Sequence, residues 1–378
     1  MNASKHMLIV VGARPQFIKA AALHRALVDV GGWRSTWLHT GQHHDEALSG
    51  QFFQELGLPE PNVRLTPNPS SRELRLGDMM EGIRSAIDVH RPSWVVVFGD
   101  TDSTLAGAWA ATASQIPLIH IEAGLRSHDW RMPEEVNRVL TDRMSSILVC
   151  PTHAAVDHLT REAILDHSTD KAMPSVRKPW VLKTGDIMHD NAVHFNAQFE
   201  ADKARSGRVL MTMHRPSNVD DPTTLWSWVE AIGAWLKKRG LRAVWPIHPR
   251  TLKGLETSSR PWQIKLESWG VDAVDPLGYV ELLKAVHEAP LVLTDSGGVQ
   301  KEAYSLGRRC VVLRDSTEWT EQVTEGQSML CPAPGALERL ADGLLEQGQF
   351  APGALYGGGQ AAQELMCKLN LMLEGLDG

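Results

Sequence analysis

Short apolar runs alternate with longer amphipathic stretches along almost the whole chain. An apolar run too short for a helix, followed by a helix-like stretch, is typical of βαβ units, whose parallel strands are buried on both faces. The pattern therefore predicts an α/β fold. The predicted strands are Met7–Val11, Trp94–Phe98, Pro117–Ile121, Ile147–Cys150, Val209–Thr212, Ala243–Ile247, Leu291–Thr294 and Cys310–Leu313. The clearest predicted helices are Pro15–Val28, Thr104–Ala113 and Ala361–Leu373.

The pattern is interrupted once and then restarts, which suggests two domains. A length of 378 residues fits that number. The interruption is the polar, proline-containing stretch Asp166–Lys178. We predict two Rossmann-like, doubly wound parallel-sheet domains, residues 1–172 and 173–359, with the cleft between them as the default ligand site.

Composition narrows the classes of function. There are 38 Lys and Arg against 45 Asp and Glu, a net charge of −7, which argues against nucleic-acid binding through a broad basic surface. A few cations in a cleft can still bind an anionic small molecule. The four cysteines are far apart and form no zinc-binding or disulfide pattern, and no apolar run approaches the roughly 20 residues that span a bilayer. We therefore expect a cytoplasmic protein without a metal, membrane or nucleic-acid partner.

The first motif, GARPQFIK (Gly12–Lys19), follows the first predicted strand. A glycine turn that leads into a helix N-terminus attracts anions, and Arg14 and Lys19 would add positive charge. The segment lacks the G-x-G-x-x-G pattern, so it carries no nicotinamide or flavin fingerprint. The alternative interpretation is a plain strand–helix turn with two solvated cations.

Three acids stand at or after strand ends in the first half: Asp100 in GDTDST, Glu122 in HIEAGLRS and Glu134 in RMPEEVNR. Strand ends of open α/β sheets face the ligand crevice, and paired carboxylates can serve as base and acid. Structural alternatives stay open. Asp100 would suit a helix N-cap, Glu134 would share a helix face with Arg138, and Glu135 fits the first turn of a helix.

The second half contains a glycine-rich turn, TDSGGVQKEA (Thr294–Ala303). Without side chains, Gly297 and Gly298 would let backbone N–H groups approach a diphosphate at the positive end of a helix. Glu302 lies one turn further and could accept hydrogen bonds from a ribose diol. The alternative is a plain turn, but Ser296 and Glu302 favour the binding interpretation.

A histidine also follows a strand in the second half. His214, in MHRPSN, stands beside Arg215, and histidine can protonate or hydrogen-bond a leaving phosphate near neutral pH. A structural histidine is the alternative.

Taken together, these segments resemble the non-hydrolysing UDP-N-acetylglucosamine 2-epimerases, whose two Rossmann domains form the architecture shared with GT-B glycosyltransferases. The matching motifs cover nearly the whole chain. Besides those above they are TGQHHDE (Thr40–Glu46), CPT (Cys150–Thr152), HPRT (His248–Thr251), PLGY (Pro276–Tyr279), LRDSTEWTE (Leu313–Glu321) and YGGGQAA (Tyr356–Ala362).

The resemblance implies a role for each matching residue. Catalytic roles fall to Lys19, Asp100, Glu122, Glu134 and His214, with the three acids as candidates for proton transfer at C2. Substrate contacts fall to Arg14, Arg138, Tyr279, Ser296, Gly297, Gly298, Glu302 and Arg314. A possible regulatory site would involve Gln42, His43 and Arg215. The resemblance also implies a UDP-sugar substrate, no cofactor, a homodimer, and a final helix (360–378) that packs back on the first domain.

Three departures from the family pattern bear on substrate and regulation: Ser217 where a glutamate is usual, Leu74 where many bacterial members have glutamine, and Trp319 where many relatives have Arg-Pro. The main prediction is interconversion of UDP-GlcNAc and UDP-ManNAc through UDP elimination, 2-acetamidoglucal and re-addition, with activation by UDP-GlcNAc weakened by Leu74. Trp319 and the segment LRSHDWRMPEE also resemble the subgroup that acts on UDP-2,3-diacetamido-2,3-dideoxy-glucuronic acid, which is the alternative. A GT-B glycosyltransferase is a more distant one.

Overall fold

The computed structural model describes residues 5–42, 52–199, 207–258 and 260–376. Contacts divide the chain into two compact units, Met1–Asn191 with Ala354–Gly378, and Ala192–Gly353. Each unit has a single parallel sheet with helices between its strands. The α/β fold with two Rossmann-like parallel sheets, expected from the alternating pattern, is confirmed.

The first unit contains a seven-stranded sheet in the order β3-β2-β1-β4-β5-β6-β7. All its pairs are parallel. Its strands are β1 (His6–Val11), β2 (Arg34–His39), β3 (Val63–Arg64), β4 (Trp94–Phe98), β5 (Leu118–Ile121), β6 (Ile147–Cys150) and β7 (Trp180–Lys183). The order reverses between β1 and β4, and the crevice at such a point is where doubly wound sheets bind ligands.

Helices cover this sheet and bury its apolar strands. They are α1 (Arg14–Val30), α2 (Arg72–His90), α3 (Asp102–Ala113), α4 (Pro133–Met144) and α5 (His153–Arg161), and α6 (Ile187–Phe199) begins in this unit. Small residues of α3, among them Ala106 and Ala110, let that helix pack closely on the sheet. The carboxyl ends of β4 and β5 are thereby fixed by a packed core.

The unit boundary follows from strand pairing. Residues of β7 pair with β6, so the first sheet continues past residue 172, the predicted boundary, and the contacts of this segment assign residues up to Asn191 to the first unit. The last helix, α15 (Ala361–Glu374), packs on α1. Its Asn370 side chain accepts hydrogen bonds from Lys5 Nζ at 2.8 Å and from Trp33 Nε1 at 2.9 Å.

The second unit repeats the same plan with six strands, in the order β10-β9-β8-β11-β12-β13. The strands are β8 (Val209–Thr212), β9 (Ala243–Pro246), β10 (Val271–Val274), β11 (Val292–Thr294), β12 (Cys310–Val312) and β13 (Ser328–Leu330). Its helices are α7 (Pro216–Val219), α8 (Pro222–Arg239), α9 (Pro249–Thr257), α10 (Trp262–Ser268), α11 (Tyr279–Glu288), α12 (Gly297–Ser305), α13 (Thr320–Thr324) and α14 (Leu337–Gln347). The order reverses between β8 and β11.

Local signals in the sequence set the helix ends of this unit. Asp221 caps α8 by accepting a hydrogen bond from Thr224 N at 2.8 Å, Pro222 takes the first position, and Gly240 ends the helix with φ of 63°. Buried tryptophans of α8 then pack in the core. Among the described residues, no helix is both long and apolar enough to cross a membrane.

Candidate active site

Asp100 and Glu122 lie at neighbouring strand ends of the first sheet, beside the reversal point. Gly99 separates β4 from Asp100 and has φ of 63°, which favours glycine. A Cβ at Gly99 would stand 3.0 Å from both Glu122 Oε2 and Lys19 Nζ, so a larger residue there would press on this ion pair. Glu122 itself has φ of 72°, a strained conformation for a non-glycine residue. Such strain is concentrated at functional sites.

These acids, with Glu134, form what we term the acid cluster (Asp100, Glu122 and Glu134). Burial raises the pKa of Asp100; the positive charge of Arg138 opposes this, and the charges of Glu122 and Glu134 add to it. Glu122 and Glu134 are thus each within electrostatic reach of Asp100. Glu134 is exposed. The structure therefore brings together the three acids that the sequence placed near strand ends.

Two cations balance the acid cluster. Lys19 is buried in α1 and forms an ion pair with Glu122. Arg138 forms ion pairs with Asp100 and Glu135. Arg138 was predicted to contact substrate and to share a helix face with Glu134, yet in this structure its guanidinium holds these two other acids.

Of the structural roles considered for these acids, the one for Asp100 is not found and the one for Glu135 is. Asp100 is not the N-cap of α3, because Thr101 takes that position and its Oγ1 accepts from Thr104 N at 3.4 Å. Glu135 does have the structural role, since it is buried and accepts hydrogen bonds from the backbone N–H of Ser127 at 2.9 Å and of His128 at 3.0 Å. Asp100 is therefore left at the strand end with its carboxylate paired to a cation.

The GARPQFIK turn is tight because of packing. A Cβ at Gly12 would stand 1.9 Å from Thr40 Oγ1 and 2.3 Å from Ser103 Oγ, so the glycine is required by close approach and not by a positive φ. Arg14 is the first residue of α1, and its guanidinium carbon lies 4.6 Å from the centre of the Phe52 ring. Arg14 is thus held at a helix N-terminus, where an anion would be favoured.

The residues of the possible regulatory site have structural partners. Gln42 Oε1 accepts hydrogen bonds from Ser103 N at 2.9 Å and Ser103 Oγ at 2.6 Å, and so secures the start of α3. Arg215 Nε donates to the carbonyl oxygen of Asp295 at 3.0 Å. His43 lies outside the described residues, and an effector role for this group stays a prediction.

The glycine-rich turn of the second unit begins α12, as its sequence predicts. We term Ser296–Gly298 the cradle. Ser296 is the N-cap of α12, and its Oγ accepts from Val299 N at 3.4 Å. Gly297 and Gly298 are the first two residues of the helix, and Gly298 is exposed. First-turn N–H groups lack partners within a helix, so the cradle offers donors to an anion.

His214 lies across the reversal point from the cradle and is oriented by Asp295, a residue that the sequence analysis did not single out. Asp295 is fully buried, and it accepts from the backbone N–H of His214 at 3.0 Å and of Arg215 at 2.9 Å. His214 Nδ1 lies 3.2 Å from Asp295 Oδ1. Burial raises the pKa of Asp295, but the hydrogen bonds from His214 and its neighbours outweigh it, so the pKa is lowered. The sequence did contain a signal for Asp295, because it is the aspartate of TDSGG and directly follows a buried strand.

The loop after β12 packs against the cradle. Two guanidinium nitrogens of Arg314 donate to Glu318, each at 3.0 Å, and Arg215 lies 3.5 Å from the same carboxylate. Burial raises the pKa of Glu318, but the hydrogen bonds from Arg314 dominate and lower it. Trp319 Nε1 donates to the carbonyl oxygen of Gly297 at 3.0 Å. Glu318 and Trp319 are thus contacts of the cradle that the sequence analysis did not predict.

The remaining two predicted contacts are buried. Glu302 lies on α12, four residues after Gly298, and is 5% exposed. Tyr279 begins α11 and is 1% exposed, with its ring centre 6.1 Å from that of Phe195. A role of either side chain in substrate binding stays a prediction.

Comparison with known proteins agrees with this geometry. A model of the family described as UDP-N-acetylglucosamine 2-epimerase matches residues 26–370. The UDP-2,3-diacetamido-2,3-dideoxy-D-glucuronate 2-epimerase of Pseudomonas aeruginosa is 40% identical over 368 residues, which cover 95% of this chain and 98% of that protein. The UDP-N-acetylglucosamine 2-epimerase of Methanocaldococcus jannaschii is 37% identical over 325 residues, or 85% of this chain and 87% of that protein.

A solved structure supports the same assignment. The crystal structure of Methanocaldococcus jannaschii UDP-GlcNAc 2-epimerase in complex with UDP-GlcNAc and UDP matches with a TM-score of 0.81 and 33% identity, over 97% of this chain and 99% of that one. Sequence motifs, sheet order, family match and overall structure agree. The chain belongs to the UDP-N-acetylglucosamine 2-epimerase family, whose named members are isomerases of nucleotide sugars.

Proposed function

We propose that this chain interconverts the C2 epimers of a UDP-2-acetamido sugar by eliminating UDP and adding it back. The observation that carries the proposal is the acid cluster beside the reversal point of the first sheet. Glu122 pairs with Lys19, Asp100 pairs with Arg138, and the charge of Glu134 acts on Asp100. The C2 proton of such a sugar is not adjacent to a carbonyl, so direct removal would give an unstabilised carbanion. Loss of UDP from C1 removes that difficulty, because the electrons of the C2–H bond form a C1=C2 double bond.

The two steps need one basic and one acidic group. In the first step a carboxylate takes the C2 proton while the C1–O bond breaks and its electrons leave with UDP, giving 2-acetamidoglucal. In the second step a protonated group delivers a proton to the other face of C2, and a UDP oxygen bonds to C1. Glu122 forms an ion pair with Lys19, which favours a carboxylate at that position, and burial raises the pKa of Asp100, which makes that group easier to protonate. We therefore assign Glu122 as the base and Asp100 as the acid for one direction.

The second unit supplies groups that suit a departing diphosphate. The cradle offers backbone donors at a helix N-terminus, and His214 is held by the ionised Asp295. Arg314 adds positive charge near that turn, and Arg14 does the same at the start of α1 in the first unit. Preorganised donors of this kind stabilise the negative charge that develops on a leaving group. Glu302 is proposed to bind the ribose.

For the substrate we place UDP-2,3-diacetamido-2,3-dideoxy-glucuronate ahead of UDP-GlcNAc, which reverses the order from the sequence analysis. The Pseudomonas aeruginosa relative with that activity is similar over nearly its whole length. Arg131, in the loop that precedes Glu134, has a side chain 91% exposed and pairs with Asp129 at 2.8 Å, and we propose that it exchanges this partner for the C6 carboxylate of a uronate. Replacing Arg131 by Ala should raise the Michaelis constant for the uronate more than that for UDP-GlcNAc.

The experiment is NMR of each nucleotide sugar with the enzyme alone in heavy water, using substrate labelled in the bridging C1–O–P oxygen. Deuterium should appear at C2 of the product, and the label should move into non-bridging positions. Epimerisation that retains the C2 hydrogen and the label position would refute elimination. Turnover only on addition of an acceptor sugar would instead indicate a glycosyltransferase.

We further propose that the enzyme works as a cytoplasmic homodimer. Light scattering after size-exclusion chromatography tests the stoichiometry, since a monomer at assay concentration would refute the dimer. Fractionation of the native cells tests the location.

A further inference from the structure

A histidine to which the proposed reaction gives no role lies next to Asp100 and Glu122 of the acid cluster. His120 is on β5, two residues before Glu122, and is fully buried. Its Nε2 lies 2.8 Å from the carbonyl oxygen of Gly99, the residue before Asp100. Its Nδ1 lies 2.7 Å from Asp142 Oδ1. The ring therefore contacts the turn that carries Asp100, and it lies on the strand that leads to Glu122.

Both partners of the ring are hydrogen-bond acceptors. A carbonyl oxygen has no proton to donate. Asp142 is ionised, because its other oxygen accepts from Arg126 at 2.7 Å and from Gly124 N at 3.2 Å. Burial raises the pKa of Asp142, but its hydrogen bond with His120 and the charge and hydrogen bond of Arg126 oppose this, and the pKa is lowered. A ring with acceptors on both nitrogens must donate from both, and only the imidazolium form can do so.

The neighbouring charges fit a charged ring. The Arg126 side chain is 1% exposed and pairs with Asp142 at 2.7 Å and with Glu162 at 2.6 Å. Arg143 also lies 3.9 Å from Glu162. The Cys150 thiol, from β6, stays neutral because burial raises its pKa well above the ordinary value, an effect to which the charge of Asp142 adds. Buried charges persist when they are paired and hydrogen-bonded in this way.

We infer that His120 is a positioning residue: a buried imidazolium that fixes the spacing between Asp100 and Glu122. Gly99 is held on both sides by β5, since its N–H donates to the carbonyl oxygen of Ile121 at 2.9 Å and its carbonyl accepts from His120. The strand that ends in Glu122 thereby sets the turn that presents Asp100. The inference rests on the proposed function, because it assigns the purpose of this spacing to proton transfer at C2.

Two substitutions separate the two bonds of the ring. His120→Gln places an amide N–H near the position of Nε2 and can still donate to Gly99. His120→Asn places one near Nδ1 and can still donate to Asp142, but it is too short to reach Gly99. Because a misplacement of about 1 Å can cost about 100-fold, we expect kcat to fall about 100-fold in the Asn variant and by about tenfold at most in the Gln variant.

The measurements are kcat, KM, the rate of deuterium incorporation at C2, and calorimetric UDP affinity. The Asn variant should lose kcat and deuterium incorporation together, with KM and UDP affinity within about twofold of the wild type, because a positioning effect on the transition state leaves ground-state binding unchanged. Equal activity in both variants, or equal losses accompanied by loss of UDP affinity, would overturn the inference. A wild type without epimerase activity would instead refute the proposed function.

A second measurement covers the case in which the variants do not fold. NMR of wild-type enzyme with ¹⁵N-labelled histidine should show protons on both ring nitrogens of His120 at neutral pH. A single ring proton on His120 would overturn the inference irrespective of the kinetics.

Discussion

Gly298→Ala should raise stability while it weakens UDP binding, and so separates the two roles of the cradle. A Cβ at Gly298 would meet Ser296 Oγ at 3.8 Å, an ordinary contact, and nothing else among the described residues within 4 Å. Alanine therefore fits without displacing a neighbour. Alanine is favoured over glycine by up to about 1 kcal/mol inside a helix, and by about half of that in a first turn. For a unit of this size the shift in Tm is about 1–2 °C upward.

The same methyl group stands where a phosphate oxygen would approach the N–H groups of the cradle. A hydrogen bond to a charged group contributes about 1.5–3 kcal/mol, and each 1.4 kcal/mol is a tenfold change in affinity. Loss of one such bond predicts that Gly298→Ala binds UDP about 10- to 100-fold more weakly. Stability and affinity should thus move in opposite directions.

Gly343→Ala is the matched control. Gly343 lies in α14 of the same unit, and a Cβ there would meet nothing within 4 Å among the described residues. It should raise Tm and leave UDP affinity unchanged. Tm from scanning calorimetry and Kd from titration calorimetry decide the matter. If Gly298→Ala binds UDP as tightly as Gly343→Ala does, the cradle is not the diphosphate site.

Three further predictions concern other residues. Glu302→Ala should raise KM more than it lowers kcat, because a ribose contact is similar in ground and transition states; unchanged UDP affinity in calorimetry would remove the ribose assignment. Asp100→Asn and Glu122→Gln should lower kcat with little change in UDP affinity, and retention of kcat in both would refute their roles in proton transfer. Burial raises the pKa of Asp190 from 3.8 to about 6. Since the unfolded chain loses this proton first, wild-type stability is reduced as pH rises from about 4 to about 6. Relative to wild type, Asp190→Asn should therefore gain on the order of 2–3 kcal/mol between pH 4 and pH 7 in urea unfolding, and a pH-independent difference would contradict this.

The central strands of both sheets could be predicted from the sequence, and the outer ones could not. A central parallel strand is covered on both faces and so is an uninterrupted apolar run, as in WVVVF of β4. Outer strands are short or carry polar residues, such as Val63–Arg64 and VDAV of β10. The boundary predicted at residue 172 rests on the polar stretch Asp166–Lys178, and the short strand β7, which extends the first sheet beyond that stretch, was not predicted.

The candidate site was predictable where its position depends on strand ends. Asp100 and Glu122 follow buried strands directly, so their neighbourhood in a parallel sheet follows from the sequence. Ion pairs and hydrogen bonds between side chains that are far apart in the sequence could not be predicted in this way. Arg138 holds Asp100 from 38 positions away, and His120 contacts Asp142 from 22 positions away. Such contacts depend on how α4 packs on the sheet, which the spacing of residues does not determine.

Three of the cations predicted to bind the phosphates or the sugar already form ion pairs with carboxylates of the chain. Lys19 pairs with Glu122, Arg138 with Asp100, and Arg314 with Glu318. A sequence shows that a cation is present, but in the folded chain a nearby carboxylate competes with the ligand for it. A diphosphate that binds Arg314 must displace Glu318 or share the guanidinium with it, so binding exchanges one anion for another. The net gain is then smaller than that of a new ion pair, and the backbone donors of the cradle become more important for selecting a diphosphate.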